Sequence, residues 1–176
     1  MADVFVNYRT GDEEACATMI ERELSRRFGS AKIFLAGRSI RPGKSIKPGT
    51  DYQPDPLAAV RASSVLLAVI SARWLSFADE HGHNALDTVD DRIRKEILTA
   101  FEVDIPVVPI LVGRAERIRR VDLPLALARL ADCQYFRFDV STAERDLRDI
   151  GDKLADIVPD LEPAGEPETV VRQDNT

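Results

Sequence analysis

Cysteine is scarce in this chain. Cys16 and Cys133 stand far apart, which excludes a disulfide-stapled scaffold and leaves reduced core thiols as the expectation. Histidine is as scarce: His81 and His83 flank Gly82 beside Asp79 and Glu80, with no third strong ligand close in sequence, so no metal site is expected. No apolar run approaches the roughly 20 residues that span a bilayer. The opening Met1-Ala2-Asp3 is acidic and runs straight into a strand. Neither a membrane segment nor a signal peptide is therefore expected, and the expected location is the cytoplasm. Net charge is −6, which excludes a general nucleic-acid binder. The 176 residues, 44% of them hydrophobic, suffice for one domain with a sizeable core.

The signatures of several nucleotide and hydrolase chemistries are also missing. No G-x-G-x-x-G follows the first apolar run, so a Rossmann dinucleotide grip is excluded. No G-x-x-x-x-G-K-[ST] provides a phosphate loop. A phospho-receiver needs acids after its first strand and an Asp ending its third, where this chain has Asn7-Tyr8 and Ser71. No G-x-S-x-G elbow holds a nucleophilic serine.

What is present is a regular alternation. Short apolar strands are predicted at Asp3–Tyr8, Lys32–Leu35, Ser64–Ile70, Ile105–Val112 and Gln134–Phe138. Helices are predicted at Glu13–Phe28 with Asp12 as its cap, at Pro56–Ala62, Asp90–Phe101 and Leu123–Leu130, and from the capping-box spacing at Ser141–Glu144 to Val158. The run Ser64–Ile70 is apolar on both faces, as in the centre of a parallel sheet. The prolines of Ile105–Val112 fit best near strand ends or at an edge. Five such repeats predict an α/β fold, a five-stranded parallel sheet with helices on both faces. Its ligand rim is built from Tyr8–Asp12, Ala36–Asp55, Ser71–Asp91 and Gly113–Arg120. Pro159–Thr176, with three prolines and five acids against one Arg, predicts a disordered acidic tail after a domain at residues 1–158.

Two segments carry the functional signal. In DDRIRKEILTAF, from Asp90 to Phe101, Ile93, Ile97, Ala100 and Phe101 recur at helical spacing. Glu96 falls at the seam between that stripe and solvent, placed either as a surface partner of Arg92 one turn earlier or as a half-shielded carboxylate near a ligand. In RSIRPGKSIKPGTDY, from Arg38 to Tyr52, a Ser-Ile-x-Pro-Gly unit is duplicated, and Arg38, Arg41, Lys44 and Lys47 precede any acid. That stretch reads as a basic flap for a phosphorylated ligand or acidic partner, or as a solvated insertion.

DVFVNYR, the Ser-Ile-x-Pro-Gly flap, VLLAVISARWL, DDRIRKEI and IPVVPILV occur in that order. Together, over about Asp3 to Val158, they resemble a TIR (Toll/interleukin receptor) domain of the bacterial type. The resemblance implies a flavodoxin-like fold with Ala36–Asp55 as the BB loop. It also implies cleavage of NAD+, as substrate with no cofactor required, at the nicotinamide–ribose bond to linear or cyclic ADP-ribose. It makes Glu96 the catalytic candidate. Around the dinucleotide it implies Tyr8, Arg9, Ile40, Lys44, Lys47, Trp74 and Arg92, although Trp74 reads more readily as an anchor at the core's edge. Arg92 stands where the family usually has an aromatic, and Ala36-Gly37 where many members have an acid. Self-association through the BB loop, a TIR or sensor partner, and a role in immune signalling or antiphage defence are further implications. A non-catalytic interaction module is the alternative.

Overall fold

The computed structural model describes residues 3–36 and 55–165. The basic flap, with Ile40, Lys44 and Lys47, lies outside the described residues. Five strands form one parallel sheet: β1 (Val4–Asn7), β2 (Ile33–Leu35), β3 (Val65–Ile70), β4 (Val107–Val112) and β5 (Phe136–Phe138), in the order β2-β1-β3-β4-β5. Every residue of β1, β3 and β4 is buried, because helices cover both faces of a parallel sheet.

Among the described residues four helices do the covering: α1 (Glu14–Phe28), α2 (Pro56–Arg61), α3 (Arg92–Glu102) and α4 (Ala143–Ile157). α1 packs beside α4, and α2 beside α3. Strand order reverses direction after β2, so right-handed crossovers send α1 to one face and α2 and α3 to the other. Phe5 and Phe34 are register partners on β1 and β2, and their rings stack at 5.1 Å. In α3, Ile93, Ile97 and Ala100 are buried at helical spacing; each isoleucine contributes roughly 1.5–3 kcal/mol by leaving water.

Several local expectations are corrected. Asp12 does not cap α1. The chain enters that helix through Glu13 in the left-handed region, at φ +55°, while the buried Asp12 carboxylate accepts from the Ser71 hydroxyl at 2.5 Å and Arg73 at 3.3 Å. Asp12 therefore joins the loop after β1 to the loop after β3. The capping box does not form either: Thr142 makes no cap bond, and Asp139 instead accepts from the Ser141 N–H, building a turn ahead of α4. The stretch expected as a helix over Leu123–Leu130 is a 3₁₀ segment, Leu125–Asp132.

Pro109 sits in the middle of β4, a central strand, rather than at an end. The bonds Leu66 N–H to Pro106 O and Gly113 N–H to Phe138 O fix the alternation of the ladder. That alternation turns the Pro109 nitrogen toward the β5 side, and β5 begins to pair only at Ile110. The missing donor therefore costs no sheet bond. At the other end, the domain reaches past Val158. Leu161 is buried, the Ala164 N–H donates to the Arg27 carbonyl at 2.8 Å, and Lys32 donates to the Asp160 carbonyl. The start of the stretch expected as tail is thus packed on α1. Both cysteines are free; Cys16 is buried and Cys133 half-buried.

Candidate functional site

The site forms where the end of β1 meets the start of α3. Asp91 caps α3: its extended backbone precedes the first turn, and its carboxylate accepts from the Arg94 N–H at 3.0 Å. The same carboxylate receives the Arg9 fork, Nη1 at 2.7 Å and Nη2 at 3.0 Å, with both side chains about nine-tenths buried. Arg9 also lies over the Phe77 ring, 5.1 Å from its centroid. One acid thus satisfies a helix terminus and clamps it to β1.

One turn into the helix, Glu96 is wholly buried. Its Oε2 accepts from Asn7 Nδ2 at 2.6 Å and its Oε1 from Arg92 Nη1 at 3.2 Å. Arg92 makes only this single bond to the carboxylate, because its Nη2 turns to the Tyr8 carbonyl at 3.0 Å. The half-shielded seam position expected for Glu96 is therefore corrected to full burial. Helical geometry set the direction of its Cβ, and Asn7 and Arg92 close over the rest. Burial pushes the Glu96 carboxyl up to about 7, against the pull of the Arg92 charge and the Asn7 and Arg92 hydrogen bonds, with the Asp91 charge adding to the rise. Such a group changes charge near neutral pH, which suits chemistry.

Tyr8 is buried, and its carbonyl is held by Arg92. Arg9, expected beside the dinucleotide, has its fork occupied by Asp91. Trp74 is fully buried in the core, with no hydrogen-bond partner at its indole N–H among the described residues. It is a core residue here and no open wall. Arg92 lies over Glu96 with its side chain about a third exposed. Asn7 carries no expectation from the motifs, and Asp91 lies within the DDRIRKEI segment without an expected role at the site. The signal for Asn7 was there: an amide ending an otherwise apolar strand must find a partner.

Among the described residues no group of three or more His, Cys, Asp or Glu is placed to hold a metal. Asp79 spends its carboxylate on the backbone N–H groups of His81 and His83. No helix among the described residues is long and apolar enough to cross a membrane.

The chain resembles a solved structure of the TIR domains in the activated Roq1 resistosome directly recognising the pathogen effector XopQ. The two agree with a TM-score of 0.54 at 13% sequence identity, over 88% of this chain and 99% of that one. The fold is that of a TIR domain. No family model and no curated protein matches the sequence, so for this TIR fold the arrangement of residues at the β1–α3 junction has to speak for the chemistry.

Proposed function

We propose that the chain cleaves NAD+ at the nicotinamide–ribose bond, with Glu96 as the catalytic carboxylate. The observation that carries this reading is the wholly buried Glu96, hydrogen-bonded through each oxygen to a donor and poised to ionise near pH 7. Nicotinamide leaves a cationic ring as a neutral base, so departure needs no general acid. The ribose then develops oxocarbenium character. A carboxylate in a dry setting stabilises that charge far better than one in water, and it grips the ribose hydroxyls. Water or the base at the far end of the dinucleotide completes the reaction, giving linear or cyclic ADP-ribose.

Substrate access requires the Arg92 side chain to swing off Glu96, which its one-third exposure and single bond to the carboxylate permit. The BB loop across residues 36–55, with Ile40, Lys44 and Lys47, is the proposed lip of the pocket and the surface for self-association. A bacterial immune or antiphage role, in the cytoplasm and in partnership with another TIR or sensor protein, follows from this reading.

A second reading is favoured by one fact: no part of Glu96 is exposed to solvent. Under it the chain is a scaffold that recruits partners, and Glu96 only ties α3 to β1. Nicotinamide release from NAD+ by concentrated protein, beside Glu96→Gln, separates the two. The enzyme reading expects release that falls about a hundredfold or more in the variant. No release by the parent protein, even after forced oligomerisation, leaves the scaffold.

A further inference from the structure

A concavity opens outside the carboxyl ends of β3 and β4, with a volume of about 400 Å³, within the range of small-molecule sites. It shares no residue with the Glu96 cluster. Its floor is apolar: Ile70 and Ile118 are buried and Leu75 is half-buried. Its rim is charged, with Arg114, Arg117 and Arg119 on one side of the ledger and Glu116 and Asp122 on the other. Asp122 is already neutralised, since its carboxylate takes the Arg119 fork at 2.8 and 2.9 Å. Among the described residues neither Arg114 nor Arg117 meets a carboxylate in an ion pair, and both are exposed. Arg117 also lies 6.0 Å from the centroid of the Tyr135 ring. The rim thus keeps two available guanidinium groups against the single carboxylate of Glu116, in a chain whose net charge is −6.

The floor is fixed. Ser71, the residue after β3, donates its hydroxyl to buried Asp12 and accepts from the Arg73 N–H. Open α/β sheets take ligands in the crevice beyond the carboxyl ends of their strands. Two guanidinium forks over an apolar floor match an anion attached to a ring or chain that seeks shelter from water. We propose that this cavity binds an organic phosphate, its phosphate against Arg114 and Arg117 and its apolar body against Ile70, Leu75 and Ile118. The site is separate from the one proposed for NAD+ cleavage and does not depend on it.

Titration of ADP and of inorganic pyrophosphate into the ¹⁵N-labelled chain, followed by amide shifts and by calorimetry, tests the assignment. ADP is expected to move the amides of Ser71, Ala72 and residues 114–119, and to bind more tightly than pyrophosphate. The double variant Arg114→Gln/Arg117→Gln should weaken ADP roughly tenfold to a hundredfold, as the loss of hydrogen bonds to a charged group implies. Glu96→Gln should leave ADP binding at this cavity unchanged. The substituted arginines are exposed, so an unchanged amide spectrum elsewhere verifies that the fold is intact. Three outcomes would overturn the proposal: no shifts around the cavity at millimolar ADP, affinity undiminished in the double variant, or shifts confined to Asn7, Tyr8 and Arg92. Equal affinity for ADP and pyrophosphate would overturn the role given to the apolar floor.

Discussion

A carboxylate sealed from water needs its solvation replaced, and for Glu96 two side chains supply it. Arg92 gives a charge and one hydrogen bond, and Asn7 gives a neutral one. Both favour the ionised form, with the Arg92 charge the stronger of the two, so Arg92 does more than cover Glu96. Its charge keeps the acid from rising further above its ordinary value. Arg92→Gln should therefore raise the Glu96 pKa beyond about 7, and Asn7→Ala should raise it by less. Carboxyl ¹³C shifts followed against pH measure both; a pKa that stays put in Arg92→Gln contradicts the assignment. The sequence made Glu96 and Arg92 legible, since they lie one turn apart on a periodic helix. It did not reveal the burial of Glu96, because the bond that seals it comes from Asn7, 89 residues away. Local periodicity fixes where a Cβ points and is silent about what closes over it.

Elements are joined here by side chains that do two jobs, and Asp91 is the clearest case. It caps α3 and holds Arg9 at the end of β1. The two jobs are separable by substitution. Asn caps as well as Asp does, so Asp91→Asn keeps the helix terminus and leaves the Arg9 charge buried without its partner, costing about 3–5 kcal/mol. Asp91→Ala loses the cap as well, a further 1 kcal/mol or so. Urea unfolding of the three proteins measures the series, and a loss under about 1 kcal/mol in Asp91→Asn would show that the pair contributes nothing as a clamp. The elements themselves were largely readable from hydrophobic period, and each strand and main helix lies within a few residues of its predicted span. Two of the departures from expectation share one physical cause. Asp12 and Pro109 were judged by local rules, whereas a partner across the sheet, Ser71 for one and the late start of β5 for the other, decided them.

At the scale of the whole molecule, alternation and handedness made a parallel sheet with helices on both faces foreseeable without any contact being known, whereas its order, β2-β1-β3-β4-β5, was not legible from them. The stability of that sheet carries a signature of its buried acid. Folded, Glu96 titrates at about 7, above its ordinary value near 4.5. Between those values the folded state holds a proton that the unfolded chain has released. Stability from this group is therefore complete below about pH 4.5 and is lost as pH rises through about 7. At about 1.36 kcal/mol for each pKa unit, the loss is on the order of 3 kcal/mol. Glutamine mimics the protonated acid: its carbonyl accepts from Arg92, and its amide N–H donates to Asn7 once the Asn7 amide turns over. Asn7 Oδ1, which is buried with no partner among the described residues, is the acceptor available for that bond. Glu96→Gln should thus match the parent protein near pH 5 and exceed it at pH 8 by up to about 3 kcal/mol. Comparing the two proteins at each pH cancels the titration of the other carboxylates. Denaturant midpoints across pH 5 to 8 decide the matter, and parallel curves for the two proteins would mean that Glu96 is ionised throughout and its burial is relieved by solvent. The same titration predicts the direction of the proposed activity. Because the ionised acid is the catalytic form, kcat/KM for NAD+ should climb through about pH 7 in a single-proton step, rising over the interval in which the fold loses stability.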